Sequence, residues 1–227
     1  LKVEDHASST YISVLDENGD MFVALSDMSV LQEMTVDFIH SKSSIIKGSR
    51  LITCDPALHP DVMEEILNLY SDTIPVFVDP VSCAYAETIV DFIGKFHTAK
   101  PNILETEILS GMKIKSKKDL YKAAEKILDK GLKRIFISLG ADGCLYMDRE
   151  GKHIERKLAP VEHMVNASGA GDAFMAAVIY SYINAFTLDK TIDYGLAAGI
   201  VAISHEKTIN PNMSVSLIEN ILKERKI

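Results

Sequence analysis

The chain has 227 residues, 47% hydrophobic and 25% charged, with 12 Gly, 7 Pro, 3 Cys and no Trp. That composition is globular and excludes disordered, collagen-like and coiled-coil chains, and the length suits one large domain or two small ones. The formal charge of -8 argues against a general nucleic-acid or membrane-surface binder, while leaving room for a local site that takes a small anion.

Residues 11–15 and 21–25 are short runs rich in β-branched, aromatic and aliphatic side chains, separated by Asp16-Glu17-Asn18-Gly19-Asp20. They predict a β-hairpin. Strands and helices then alternate: helix 35–46, strand 50–54, helix 60–70 with Val62, Ile66 and Leu69 at helical spacing, strand 75–78, helix 84–96 and a short strand 98–100. Ser116 is placed to cap a helix running to Lys130, with Asp119 at the capping-box distance and Gly131 at its end. Strand 134–139 follows, then a second hairpin of 143–147 and 153–157 that turns through Asp148-Arg149-Glu150-Gly151, then helices 171–185, 191–205 and 214–226. This alternation implies right-handed βαβ units and a mostly parallel sheet covered on both faces. No repeat, low-complexity tract or linker divides the chain. The apolar runs 173–180 and 196–203 fall short of the roughly 20 residues that span a bilayer. Cys54, Cys83 and Cys144 are far apart and without ligand-spaced histidines, which argues against a disulfide framework or zinc site and for a reducing cytoplasm. Leu1 opens the chain without a leader-like segment, as expected of a chain that begins in mid-protein.

In open parallel α/β sheets ligands gather beyond the carboxyl ends of strands, so the informative segments are those where a strand meets a helix. Asn166-Ala167-Ser168-Gly169-Ala170-Gly171-Asp172-Ala173-Phe174 stands before a strongly apolar helix. Its small residues let N–H groups converge, and the helix N-terminus adds roughly half a positive charge, which suits phosphate oxygens and a first-turn carboxylate. Asp172 beside such an anion hole can take the proton of an alcohol that attacks a phosphoryl group. A plain turn or cap is the competing reading. The P-loop pattern is absent, and the dinucleotide fingerprint fails because Phe174 stands where its third glycine belongs.

Lys100-Pro101-Asn102-Ile103-Leu104-Glu105 ends a strand and starts a helix. Asn102 and Glu105 can serve a hydrated Mg²⁺ and touch phosphate, or simply form a capping box. Ser138-Leu139-Gly140-Ala141-Asp142-Gly143 is a nucleotide loop or a tight turn, and Asp79, in Val78-Asp79-Pro80, faces a metal or starts a turn. Asp55, before Pro56, reads equally as substrate-facing or as a turn residue. His97 and His163 read as surface or strand-end residues, Met63, Met164 and Met175 as core filling, and Lys113, Lys115, Lys117 and Lys118 as a solvated charge run.

Taken in order, Asn102-x-x-Glu105, a strand ending in Leu139-Gly140-x-x-Gly143, and Asn166-x-Ser168-Gly169-Ala170-Gly171-Asp172-x-Phe174 resemble the ribokinase-like, or PfkB, family of carbohydrate and nucleoside kinases. The resemblance runs from the hairpin to the C-terminus, and Pro101-Asn102 through Glu105-Thr106-Glu107 to Leu109-Ser110-Gly111 is similar to the family's second landmark. It implies an α/β fold of three layers, α/β/α, with a mostly parallel central sheet. Residues 1–27 would form a small β lid and 28–227 a kinase core lacking the family's first strands.

By the same resemblance Asp172 is the catalytic base and the amides of Gly169, Ala170 and Gly171 form the anion hole. Asn102 and Glu105 serve the Mg²⁺–phosphate network, and Ser138, Gly140, Asp142, Gly143 and Ser168 lie along ATP. A monovalent cation such as K⁺ would sit among Asn166, Ser168 and the loop 204–210, although the family's usual Asp-Thr-Thr stands here as Asn166-Ala167-Ser168, without the carboxylate. Phe77-Val78-Asp79-Pro80-Val81-Ser82, His97-Thr98-x-Lys100-Pro101-Asn102, Asn166 and Thr208-Ile209-Asn210-Pro211-Asn212-Met213-Ser214 resemble the pseudouridine kinases, which implies transfer to the 5′-hydroxyl of that nucleoside. Ribokinase and other sugar kinases are the alternatives. The partners implied are a nucleoside or sugar, neither nucleic acid nor membrane, and a second copy of the chain paired through the lid. A chain that begins downstream of the family's first strands would leave one alternative of another class, a non-catalytic nucleotide-binding or dimerisation module.

Overall fold

In the computed structural model, which describes residues 1–15, 21–158 and 169–225, β1 (Thr10–Leu15) and β2 (Met21–Asp27) pair as a two-stranded sheet. The turn 16–20 expected between them lies outside the described residues. Where one helix is predicted over 35–46 there are two, α1 (Val36–Ser41) and α2 (Ser43–Lys47), meeting at Lys42, whose φ of -100° and ψ of 4° are not helical. The serines explain the break: the Ser41 hydroxyl donates to the Phe38 carbonyl at 2.6 Å, the local bond by which serine competes with the helical ladder.

Helix α3 (Pro60–Tyr70) forms where the periodicity places it, with Pro60 in its first turn. Its buried stripe is Val62, Met63, Ile66, Leu67 and Tyr70, and Leu69, expected on that face, is 47% exposed. The stripe is centred on residues 63, 66, 67 and 70, and Leu69 points about 100° away from Tyr70.

Strands β3 (Ile52–Cys54), β4 (Val76–Val78), β5 (Thr98–Ala99), β6 (Arg134–Ser138), β7 (Cys144–Asp148) and β8 (His153–Arg156) hydrogen-bond in that order. The pairs β3–β4, β4–β5 and β5–β6 are parallel, with Cys54 opposite Val78 and Val78 opposite Ala99. The links β6–β7 and β7–β8 are closed by the Leu139 N–H to Gly143 carbonyl bond (2.9 Å) and the Asp148 N–H to Lys152 carbonyl bond (3.0 Å). Such links are too short for the crossover a parallel pair needs, so the last two strands are antiparallel and the sheet is mixed. Val76, Phe77 and Val78 are buried along the whole of β4, each worth roughly 1.5–3 kcal/mol relative to exposure.

Helix α4 (Cys83–Ile89) is capped by the Ser82 hydroxyl and stops earlier than predicted. Phe92 leaves helical geometry at φ -120°, ψ 13°, and a single 3₁₀ turn, Ile93–Lys95, brings Ile93 and Phe96 into the core. Gly94 in that turn is a poor helix former. Helix α5 (Ile103–Ser110) follows β5, and α6 (Lys117–Asp129) has Ser116 as its cap. The Asp119 carboxylate reaches the Lys115 N–H (3.3 Å) and the Ser116 hydroxyl (2.8 Å).

The chain divides into two compact units, one of Leu1–Val14, Val23–Phe136 and Met147–Lys152, the other of Leu15–Phe22, Ile137–Tyr146 and His153–Ile227. The second holds α7 (Ala170–Ile183), α8 (Leu188–Ile203) and α9 (Val215–Arg225). α8 begins earlier than predicted because the Thr187 side chain accepts the Lys190 N–H and starts the helix. Ala177, Tyr194, Ala197, Ala198, Val201 and Ile218 form the core these helices share. The Tyr194 hydroxyl donates to Glu219 at 2.7 Å, and burial, helped by that bond, pushes its pKa up to about 12. Arg156 of β8 pairs with Asp189 and Asp193 of α8, each at 2.8 Å. Met63 and Met175 fill the core as expected, whereas His163 and Met164 lie outside the described residues. Cys54, Cys83 and Cys144 are all free thiols, and no described helix is long and apolar enough to cross a membrane.

His97 stacks on Phe77 with ring centroids 5.5 Å apart, and its pKa falls to about 4, first through burial and then through Arg134 and Lys133. A folded value below the ordinary 6.5 means that the unfolded chain binds the proton first as pH falls. The stability this neutral ring contributes is full above about pH 6.5 and is lost on the way down to about pH 4. For this half-buried ring the loss is on the order of 2 kcal/mol. His97→Phe is expected to flatten that part of the pH–stability curve, read by urea unfolding at a series of pH values.

Candidate active site

Parallel register sets the first group of candidates. Val78 lies opposite Ala99, and the Lys100 N–H donates to the Val78 carbonyl at 3.1 Å, so β4 and β5 end side by side. Asp79 leaves one strand and Lys100 the other. The Lys100 ammonium stands 3.0 Å from Asp79 Oδ2, with side-chain exposures of only 5% and 15%. Asp79 Oδ1 accepts the Val81 N–H at 3.2 Å, so this carboxylate both starts a turn and holds a buried cation.

Two residues beyond Lys100 the chain enters α5 through a complete capping box. The Glu105 N–H donates to Asn102 Oδ1, and the Asn102 N–H and Nδ2 donate to the two oxygens of Glu105, all at 2.9 Å. Asn102 is exposed while Glu105 is buried. Burial pushes the Glu105 carboxyl up, opposed by the Asn102 N–H and by Lys100, while Asp79 adds to the rise.

A second group stands at the start of α7. Gly169 takes φ 82°, and a Cβ there would lie 2.3 Å from the Thr208 carbonyl oxygen, so only glycine fits between the turn and that backbone. Having no side chain to offer as a cap, Gly169 leaves the first-turn amides of Ala170, Gly171 and Asp172 without a bond from their N-cap residue. Asp172 is exposed in that same turn. The facing loop is tied down by buried Asn210, whose Nδ2 donates to the Val201 carbonyl at 2.8 Å and whose Oδ1 accepts the Asn212 N–H at 2.9 Å.

A third group lies on the 3₁₀ turn Gly140–Asp142 between β6 and β7. Gly140 and Asp142 are exposed and Ser138 is half-buried, while Gly143 has φ 100° and a Cβ there would meet the Arg156 carbonyl oxygen at 1.9 Å. Gly143 is therefore required by the fit of β7 against β8, and the open face of this loop belongs to Gly140 and Asp142.

The candidates thus fall into three local groups: Asn102 and Glu105, now joined by Asp79 and Lys100; Gly169, Ala170, Gly171 and Asp172; and Ser138, Gly140, Asp142 and Gly143. Asn166 and Ser168 lie outside the described residues. Asp55 is a turn residue, its Oδ1 accepting the Ala57 N–H at 2.9 Å, and Lys113 is an exposed cation paired with Glu107 at 2.8 Å. Sequence reasoning passed over the Lys100–Asp79 pair. Its signal was a lysine closing a short strand beside another that ends in aspartate, a juxtaposition visible only once strand order is known.

Among the described residues no cluster of three or more His, Cys, Asp or Glu side chains could hold a bare metal ion. Mg²⁺ keeps several waters and takes one or two carboxylates together with substrate phosphates. Glu105 fits that outer-sphere role, because each of its oxygens accepts one bond and keeps a second lone pair.

Comparison with known proteins bears on the family and the fold. The profile of the pfkB family carbohydrate kinases matches residues 1–214. The chain is 32% identical over 225 residues to the pseudouridine kinase of Escherichia coli (strain K12), covering 97% of this chain and 71% of that one. A crystal structure from Clostridium perfringens matches at 36% identity and a TM-score of 0.79, over 96% of this chain and 67% of that one. The ribokinase of Arabidopsis thaliana, complexed with ribose and ATP, shares the fold at a TM-score of 0.79 and 18% identity, over 95% of this chain and 69% of its own.

Gly169→Ala is expected to push the start of α7 away from the Thr208 carbonyl and to lower the melting temperature by about 5 °C, read by differential scanning calorimetry.

Proposed function

Because the chain belongs to the pfkB family of carbohydrate kinases, phosphotransferases whose acceptor is an alcohol, we propose that it phosphorylates the 5′-hydroxyl of a nucleoside, pseudouridine, using ATP and Mg²⁺. The observation that carries the chemistry is the start of α7, where a side-chain-free N-cap leaves amides open beside the carboxylate of Asp172. The choice of acceptor rests on the identity to a pseudouridine kinase over nearly the whole chain. Ribose and other sugars are the competing acceptors.

In this reading the amides of Gly169, Ala170 and Gly171 receive the oxygens of the transferred phosphoryl group, with the helix N-terminus adding to their field. Asp172 takes the hydroxyl proton as the acceptor oxygen bonds to phosphorus and the bond to ADP breaks on the opposite side. Asn102 and Glu105 hold and orient the hydrated cation, and Ser138, Gly140, Asp142 and Gly143 line the nucleotide. Mg²⁺, when bound, neutralises charge on the phosphate oxygens. Ser168 would join the nucleotide contacts, and Asn166 with the loop 204–210 would border a monovalent cation such as K⁺.

The hairpin suits subunit pairing. Tyr11, Ile12 and Val14 on β1 and Val23 and Leu25 on β2 are each more than 40% exposed, a concentration of apolar side chains on a two-stranded edge that favours pairing with a second copy. Replacing Ile12 and Leu25 together by lysine is expected to turn a dimer into a monomer in sedimentation velocity. An unchanged sedimentation coefficient would reject pairing through the hairpin.

Asp172→Asn is expected to lower kcat on pseudouridine by at least about a thousandfold while ATP affinity changes less than about threefold. Undiminished turnover would remove Asp172 from the mechanism. Failure to phosphorylate pseudouridine in a panel that includes ribose and adenosine would reject the acceptor, and ATP binding without any acceptor binding would assign a nucleotide-binding module instead.

A further inference from the structure

Lys100 is a charged side chain almost wholly buried at the carboxyl end of the sheet, where the proposed reaction needs a cation and phosphates rather than a structural ion pair. Its partner cannot swing away freely. Asp79 is bound to the Val81 N–H, Val81 takes φ 64°, and the Ser82 N–H closes on the Pro80 carbonyl at 2.6 Å. A left-handed φ at a β-branched residue is strained and persists where surrounding structure imposes it. The backbone bond from Lys100 to Val78 fixes the other side. Both charges reach Glu105, and in opposite senses. Two carboxylates and one ammonium leave the group singly negative in formal charge. Without the ammonium the two carboxylates alone would draw a divalent cation whether or not phosphate came with it.

Resting on the kinase reading above, we propose that Lys100, held by Asp79, is a positioning residue that sets the charge around the Asn102–Glu105 box, so that the metal is retained together with nucleotide phosphates and not by itself. Lys100 acts here through Asp79 and Glu105 on the field at the cation.

The test titrates Mn²⁺, a paramagnetic stand-in for Mg²⁺, by electron paramagnetic resonance into the nucleotide-free protein. It compares wild type with Lys100→Met, Lys100→Arg, Asp79→Asn and the double variant Asp79→Asn/Lys100→Met. The expected order follows charge: Lys100→Met tightens Mn²⁺ by at least about threefold, Asp79→Asn weakens it by a similar factor, and the double variant and Lys100→Arg stay within about twofold of wild type. A merely structural pair predicts something else, because each single substitution breaks the same contact and both would shift affinity in one direction. That outcome, equal affinities throughout, or no Mn²⁺ bound by any of the proteins at millimolar concentration overturns the proposal. If Lys100→Met fails to fold, Asp79→Asn and the double variant decide, through weakening in the first and recovery in the second. No acceptor is turned over in this assay, so a failed kinase reading and a failed charge-setting role give separate results.

Discussion

Two parallel strands that end side by side deliver two chains, and whatever polar side chains those chains carry, to one place. In this protein β4 and β5 end in register, and the residues that follow are Asp79 on one strand and Lys100-Pro101-Asn102 on the other. Pro101 cannot continue the ladder, Asn102 turns the backbone into α5, and Glu105 folds back to close the box. Everything polar at this end depends on that register, because a slip of one residue would turn Lys100 to the opposite face of the sheet.

The energetics of this arrangement account for little of the fold's stability. A buried ion pair recovers in attraction about what it loses in desolvation, and a well-packed apolar replacement is often as stable, whereas removing one partner costs about 3–5 kcal/mol. The Lys100–Asp79 pair therefore adds little to the fold and makes it vulnerable. Glu105 is similar: burial raises its pKa, and the capping bonds that compensate could be supplied more cheaply by an exposed glutamate. At α7 the cost takes another form. Gly169 has no side chain to cap α7, which costs about a few tenths of a kcal/mol against a capping residue, and it leaves the first turn that carries Asp172 without a side-chain cap. Glycine at this position is also demanded by the Thr208 backbone, so the uncapped amides accompany a packing requirement.

Legibility from sequence followed the range of the interactions. The helix at 60–70, the cap at Ser116, the second hairpin and the Gly-Ala-Gly-Asp helix start are written in neighbouring residues, and they appear within a residue or two of their expected limits. The capping box bears out the local reading of its motif, because the Asn102–Glu105 bonds close within a single helical turn. Errors arose where a longer contact or a competing local bond intervened. The serine bond to Phe38 splits the first helix, the Ile93–Lys95 turn shortens the fourth, and Thr187 starts α8 ahead of its apolar periodicity. Leu69 was misplaced because helical spacing alone does not say on which residue a buried stripe is centred.

By itself the sequence determined the α/β class, the order of elements, the family and the identity of the chemical groups, because periodicity, caps and the glycine-rich helix start act over a few residues. Tertiary structure alone decided that Lys100 is buried against Asp79, that Gly143 is demanded by the β8 backbone, and that Gly169 lies under the Thr208 carbonyl. Each of these joins segments distant in the chain, and burial and close approach are properties of the packed structure that no local window contains.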